Sequence, residues 1–355
     1  MTTLRTIDQL RQADLISAHG ETESGQLEKV AARYSVAVSA AVIATMNRAD
    51  ESDPVARQYI PTLAELETQT TDRVDPIGDD VHSPMPGLVH RYPDRVLIKA
   101  TQVCPVYCRF CFRRESVGAN AERPLNTQQF EAIFNYIATH PEIWEVIISG
   151  GDPLVLSDSR LQTLLDGLAR SKHVRIVRFH SRVPVVKPER ITNRLVQMLR
   201  ACDKTVYVAV HANHANEFGA AARAAIARLA DAGVPLLSQS VLLAGVNDNE
   251  QALAELMRTF VELRIVPYYL HQLDLAPGTD HFRVSIARGQ ELLRTLRGTY
   301  SGLCQPNYVI DLPGGFGKVG IGPNYVTPSA DGAALDIEDI AGQRHRYPPP
   351  ANAIE

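Results

Sequence analysis

The chain has 355 residues, 45% of them hydrophobic and 21% charged, with a formal net charge of −4. That balance supports a sizeable core, in one large or two ordinary domains, and argues against wholesale disorder. It lacks the basic excess of a nucleic-acid binder and any apolar run near the roughly 20 residues of a membrane span. The opening Met1-Thr2-Thr3-Leu4-Arg5-Thr6 is not built like a secretory signal, so a reducing cytoplasm is the expected location.

Residues 1–90 read as a helical N-terminal extension, in which Leu27, Val30, Ala31 and Tyr34 recur at helical spacing. A Pro-punctuated stretch, with Asp75-Pro76 and Ser83-Pro84-Met85-Pro86-Gly87, reads as the loop into the main domain. From about residue 95, β-rich runs alternate with helical patterns. The runs are Val96–Ala100, Glu145–Ser149, Val174–Phe179, Thr205–Val210, Pro235–Leu242 and Ile265–Leu270. Phe130, Ile133, Phe134 and Ile137 form one helical apolar face, and Leu161, Leu164, Leu165 and Leu168 another; both read as core packing. Such alternation predicts an α/β fold, a partial (β/α)6 barrel of the TIM type over residues 91–326. Beyond it, residues 327–355 turn polar, end near Tyr347-Pro348-Pro349-Pro350, and read as a short C-terminal tail or interface arm.

The densest chemistry lies in Cys104-Pro105-Val106-Tyr107-Cys108-Arg109-Phe110-Cys111. A structural zinc site needs four ligands, usually in two pairs, and the remaining cysteines, Cys202 and Cys304, are isolated. Five cysteines also make a poor disulfide framework. A 4Fe–4S cube normally takes four thiolates, so Cys104, Cys108 and Cys111 as metal ligands leave one iron open to a small molecule. The C-x3-C-x2-C pattern resembles the radical S-adenosylmethionine superfamily. That resemblance implies one-electron cleavage of S-adenosylmethionine to a hydrogen-abstracting 5′-deoxyadenosyl radical. The cysteine loop follows the first barrel strand, and Gly150-Gly151-Asp152-Pro153 follows the second. Barrel enzymes carry their chemistry on such C-terminal loops. The glycines permit close backbone approach to a ligand. In this context the turn resembles the superfamily segment that meets the amino group of S-adenosylmethionine, with Asp152 and backbone carbonyls as acceptors.

A second signal is Asp311-Leu312-Pro313-Gly314-Gly315-Phe316-Gly317-Lys318. A lysine ending a Gly-rich loop suits phosphate contact or a covalent link to a carbonyl. Val319 after it excludes the phosphate-loop pattern. Taken in order, the cysteine loop, Gly-Gly-Asp-Pro and Pro-Gly-Gly-x-Gly-Lys resemble the lysine 2,3-aminomutase family, over about Asp53 to Val326. The runs Asp75–Asp80, Pro86–Arg95 and Gln239–Leu243 add to the match. The resemblance implies pyridoxal 5′-phosphate as a further cofactor and Lys318 as its covalent anchor. It places Arg91, Tyr92 and Arg95 near the phosphate, which suits bidentate guanidinium groups. It gives Arg113 the substrate carboxylate and Asp274 and Asp311 the distant ammonium of L-lysine. It sets His211 and Gln239 around S-adenosylmethionine. The implied reaction is an isomerisation moving the α-amino group of L-lysine to the β carbon.

The longer free-lysine members carry an extra zinc site with clustered C-terminal cysteines. This chain has Asn249 at one such position and no cluster, so no structural zinc is predicted. His271 stands where the longer enzymes have a tyrosine. Cys111-Phe112-Arg113-Arg114 and Tyr269-Leu270-His271 also resemble a sister branch that makes (R)-β-lysine for elongation factor P. The family resemblance implies an electron donor such as flavodoxin or ferredoxin, and a homo-oligomer. The rival from a different class is a non-catalytic iron–sulfur redox sensor, which accounts for the cysteines but not for Lys318 or the carboxylates.

Overall fold

Residues 3–16, 21–118 and 124–349 are described by the structure, a computed structural model. Met1, Thr2 and the end of the predicted tail from Pro350 lie outside it.

Strand β1 (Leu88–Tyr92) turns back antiparallel onto β2 (Arg95–Thr101). Along β2 the side chains of Val96, Ile98 and Ala100 are buried while those between are half-buried, the period of two that a strand requires. From β2 the sheet runs parallel through β3 (Glu145–Gly150), β4 (Ile176–Ser181), β5 (Thr205–His211), β6 (Leu236–Val241), β7 (Ile265–His271) and β8 (Asn307–Leu312). Strand β9 (Gly317–Gly320) closes the order antiparallel to β8.

Helices Thr127–Ala138, Asp158–Ala169, Asn193–Ala201, Ala220–Asp231, Glu250–Glu262 and Ile286–Thr299 alternate with these strands. Asn126, Ser157, Thr192, Asn249 and Ser285 each accept a backbone N–H in the first turn of the helix that follows. These caps fix where five of the helices start. The apolar faces at Phe130–Ile137 and Leu161–Leu168 are buried against the sheet side of the core.

All six expected strands form, with Val174–Phe179 displaced to Ile176–Ser181. A seventh parallel strand, β8, and two antiparallel edges extend the (β/α) unit count. Strand β8 offers only Tyr308-Val309-Ile310 before Asp311, too short an apolar run to stand out in the sequence.

The N-terminal segment does not stand apart. Ile7, Leu10, Leu27, Val36 and Tyr59 belong to the same buried cluster as the barrel helices. The expected tail is folded: β10 (Val326–Pro328), β11 (Leu335–Glu338) and β12 (Arg344–Tyr347) form an antiparallel sheet. Glu338 ties it to the last barrel helix through Arg294 at 2.6 Å. Among the described residues no helix is long and apolar enough to cross a membrane.

Candidate active site

The cysteine loop leaves the C-terminal end of β2 and is held from two sides. From the barrel, Gly151 N–H donates to the Thr101 carbonyl at 2.5 Å and Asp152 N–H to that of Val103 at 3.0 Å. This contact requires glycine: Gly150 has φ +112°, and a Cβ there would sit 2.3 Å from the Thr101 oxygen. The Asp152 carboxylate accepts from Ser181 Oγ and Arg182 N, both at 2.7 Å, and from Val183 N and Leu154 N, both at 3.1 Å. It therefore locks β3 to β4, which leaves backbone carbonyls of the turn as acceptors for a ligand ammonium.

From the other side the N-terminal segment clamps the loop. Tyr107 N–H reaches the Ala37 carbonyl at 3.1 Å and Arg109 N–H that of Gln58 at 2.8 Å. Glu65, fully buried, receives the guanidinium groups of Arg109 and Arg114. Arg182 beside Cys108 is paired with Glu217 at 2.9 Å and with the Tyr59 hydroxyl. Two buried ion-pair networks thus bracket the cysteines: in one, two guanidiniums share the single Glu65 carboxylate, and in the other Arg182 faces Glu217.

The thiols are near enough that Cys108 and Cys111 raise the titration of Cys104, and Cys111 that of Cys108. Burial first, then Asp152 and the other two thiols, holds Cys104 well above its ordinary value. Burial pushes Cys108 up to about 12 and raises Cys111. Among the described residues no three His, Cys, Asp or Glu converge on a single ion. A cube is different, because each thiolate takes its own iron. Half-buried thiols on one loop that no disulfide engages fit that donor set.

Below the loop lies a cavity of about 1070 Å³. At its cysteine end, His180 on β4, His211 on β5 and Gln239 on β6 line the wall. His180 Nε2, His211 Nε2 and Gln239 Oε1 are buried without a protein partner. Burial and then Arg178 hold His180 well below its usual value; burial and then Arg182 bring His211 to about 3. Two neutral imidazoles and an amide are thus left to bond a polar molecule, which fits S-adenosylmethionine.

The far wall is the seam between the two sheet ends. Tyr92 on β1 accepts the Lys318 N–H of β9 at 2.8 Å through its hydroxyl, whose own proton remains available. Lys318 and Asp311 are register partners across β8 and β9, and Nζ bonds the Asp311 carboxylate. His271 Nδ1 lies 3.2 Å from Nζ. The Gly-rich turn seats against the N-terminal segment, where a Cβ on Gly78 would lie 2.3 Å from Gly315 N.

Asp79 bridges two arginines of this wall. Arg113 donates to Oδ2 at 2.7 and 3.2 Å, and Arg91 to Oδ1 at 3.1 Å. Burial alone would raise Asp79, but Arg113, Lys99 and Arg91 together hold it below the usual range. Arg91 Nη1 is also 3.9 Å from Asp311, while its Nε is buried without a partner. Arg95 stacks its guanidinium 3.8 Å over the Tyr92 ring. Two guanidiniums and a phenol beside a primary amine fit a phosphorylated aldehyde such as pyridoxal phosphate.

Asp274 and Asp311 titrate apart. Burial, then the Asp311 charge, pushes Asp274 up to about 7. Burial would raise Asp311 too, but the adjoining His271 and the charge of Lys318 pull it well below the ordinary range.

Comparison with known proteins bears on the family. The Radical SAM superfamily model matches residues 98–257, and the Lysine-2,3-aminomutase model residues 293–355. The L-lysine 2,3-aminomutase of Acetoanaerobium sticklandii is 41% identical over 323 residues, 91% of this chain and 77% of that one. The chain belongs to the lysine 2,3-aminomutase family. The family's Clostridium subterminale enzyme is 39% identical over 98% of this chain and 82% of its own length. The Escherichia coli L-lysine 2,3-aminomutase is 38% identical over 79% of this chain and 81% of that one. A radical SAM methyltransferase structure from Sphaerobacter thermophilus aligns at 17% identity and TM-score 0.44, over 63% of this chain and 68% of that one.

One cavity is lined by Arg91, Tyr92, Arg95, Cys108, Cys111, Arg113, His211, Gln239, Asp274, Asp311 and Lys318. Cys104, Gly150, Gly151 and Asp152 support it from behind and do not line it. The sequence reading missed Asp79, His180 and Arg182 and noted His271 only as a departure. Asp79 lies in the matched run Asp75–Asp80 but was given no role there; Asp79 and Arg182 acquire theirs from partners on other elements, and His180 from its place in the cavity wall.

Proposed function

We propose that this chain is a radical lysine 2,3-aminomutase, an isomerase converting L-lysine to β-lysine. The observation that carries this reading is the carboxylate pair, Asp274 and Asp311, at the end of the cavity that also holds Arg113 and Lys318. Asp311 already holds a primary ammonium, that of Lys318, on the same four-carbon stem as free lysine. Two carboxylates disfavour glutamate, whose side-chain charge would stand unpaired against them.

Cys104, Cys108 and Cys111 would hold the cube, and His211, Gln239 and His180 would meet S-adenosylmethionine. Lys318 would anchor pyridoxal phosphate, with Arg91, Arg95 and Tyr92 at its phosphate. When bound, these groups supply a hydrogen-abstracting radical and an unsaturated carbon–nitrogen link through which nitrogen can migrate. The protein's share is position. Arg113 turns from Asp79 to take the substrate carboxylate, an exchange of one carboxylate for another. Asp274 and Asp311 hold the distal ammonium, fixing the β carbon between the cysteine end and the seam. The N-terminal clamp and the buried loop keep water from the reacting carbon.

The test is product analysis after anaerobic reconstitution with iron, sulfide, S-adenosylmethionine and pyridoxal phosphate. Deoxyadenosine and β-lysine should form with L-lysine and not with L-glutamate. Deoxyadenosine without β-lysine would overturn the reading. Lys318→Ala should lose the covalent pyridoxal absorbance on dialysis, and its persistence would remove Lys318 as the anchor.

A further inference from the structure

We propose that His271 is the proton acceptor that frees the Lys318 amine for attack on a carbonyl carbon, with Asp311 holding the charge. This rests on the reading of Lys318 as the covalent anchor.

A lysine attacks carbonyl carbon only through a free lone pair, so its ammonium must first lose a proton. Two acceptors meet Nζ: the Asp311 carboxylate and His271 Nδ1 at 3.2 Å. The ammonium has protons and no acceptor, so in the tautomer that meets it Nδ1 is bare and Nε2, buried without a protein partner, carries the ring proton. His271 is also 3.5 Å from Asp311 Oδ2. Strands β7, β8 and β9 are neighbours in the sheet, so these three groups are set by backbone register.

Asp311 is held too far below the carboxylate range to keep a proton. His271 is lowered by burial first and by the Lys318 cation second, and Asp311 opposes both. When Nζ gives up its charge, the second cause vanishes and the pull of Asp311 remains. The positive charge then passes from Nζ to the imidazole and stays beside the same carboxylate. The other basic groups near it keep their places: Arg91 lies 3.9 Å from Asp311, and His180 and His211 are neutral. Tyr269, whose ring centroid is 5.5 Å from that of His271, is a phenol that burial holds well above its ordinary value, so it stays neutral.

The step balances. One ammonium proton moves to Nδ1; the nitrogen lone pair forms the bond to the aldehyde carbon. The remaining two nitrogen protons leave with the carbonyl oxygen as water. In the reverse direction His271 returns its proton to Nζ when a substrate amine displaces Lys318.

The test is the rate at which full-length protein captures pyridoxal phosphate, followed by absorbance and fixed by borohydride for peptide mapping. At pH 7 His271→Gln, which can accept a hydrogen bond but cannot hold the proton, should be slower by at least about tenfold. The deficit should narrow as pH rises, because hydroxide can then take the ammonium proton in place of the imidazole. Imidazole added to His271→Ala should restore the pH 7 rate. A wild-type rate for His271→Gln at pH 7, or an equal deficit at every pH, would overturn the proposal. Lys318→Ala separates the two readings. If it is still labelled at wild-type yield, the anchor assignment fails; if it is unlabelled while His271→Gln is normal, only the His271 role fails.

Discussion

Asp274 and Asp311 are chemically identical groups at one end of the cavity, and their surroundings drive them apart. Asp311 lies against Lys318 and His271, whereas Asp274 has burial and a neighbouring negative charge. The sign follows for ligand binding. Above about pH 7 Asp274 is a carboxylate and attracts an ammonium; below it the group is protonated and does not. Lysine affinity should therefore fall as pH drops from 8 to 6, approaching about tenfold per unit on the acid side. Asp274→Asn should bind weakly at all pH values and show a flat profile. A wild-type dissociation constant independent of pH over this range would refute the assignment. Asp311→Asn acts differently, because it also releases Lys318: weaker lysine use and a disturbed covalent absorbance should appear together, read by KM and by spectrum.

The loop that carries the cysteines owes its shape to contacts with other segments. Glu65 is fully buried between Arg109 and Arg114. Glu65→Leu would leave two buried guanidiniums uncompensated, a loss on the order of 3–5 kcal/mol. A lowered melting temperature together with poor iron retention is expected; an unchanged melting temperature would show the triad is dispensable. Gly150→Ala places a Cβ 2.3 Å from a carbonyl at φ +112°, so the β3 turn must move off the cysteine loop. Backbone strain of this kind costs about 1–3 kcal/mol before the clash is added. Calorimetry should show the loss of stability, and S-adenosylmethionine affinity of the reconstituted protein should drop with it.

Among the described residues, the N-terminal segment and the barrel share the larger of two buried clusters. Its apolar side chains enter the barrel's cluster, and its Gln58, Tyr59 and Glu65 hold the cysteine loop. A chain beginning at Leu88 should therefore lose iron binding after reconstitution even where circular dichroism shows residual helix. Full iron content in that fragment would separate the clamp from the cluster. At the opposite end of the sheet, the open seam between β1 and β9 is crossed by Tyr92 to Lys318. Tyr92→Phe removes that acceptor and should slow pyridoxal capture without changing lysine's interaction with Asp274.

Local chemistry made much of this protein readable in one dimension. The cysteine spacing, the glycines before Asp152, and the Gly-rich run ending in Lys318 are covalent facts about neighbours along the chain. The β-rich and helical periods came from the same short range, and with them the barrel. What folding alone decided is who stands opposite whom. Asp79 between Arg91 and Arg113, His271 against Lys318, and Glu65 under the cysteine loop join residues 12 to 49 or more positions apart. The same holds for Asp152, whose carboxylate was expected at a ligand and instead binds β4. No spacing rule encodes such pairs, because burial and charge at each residue depend on side chains that only strand register brings within reach.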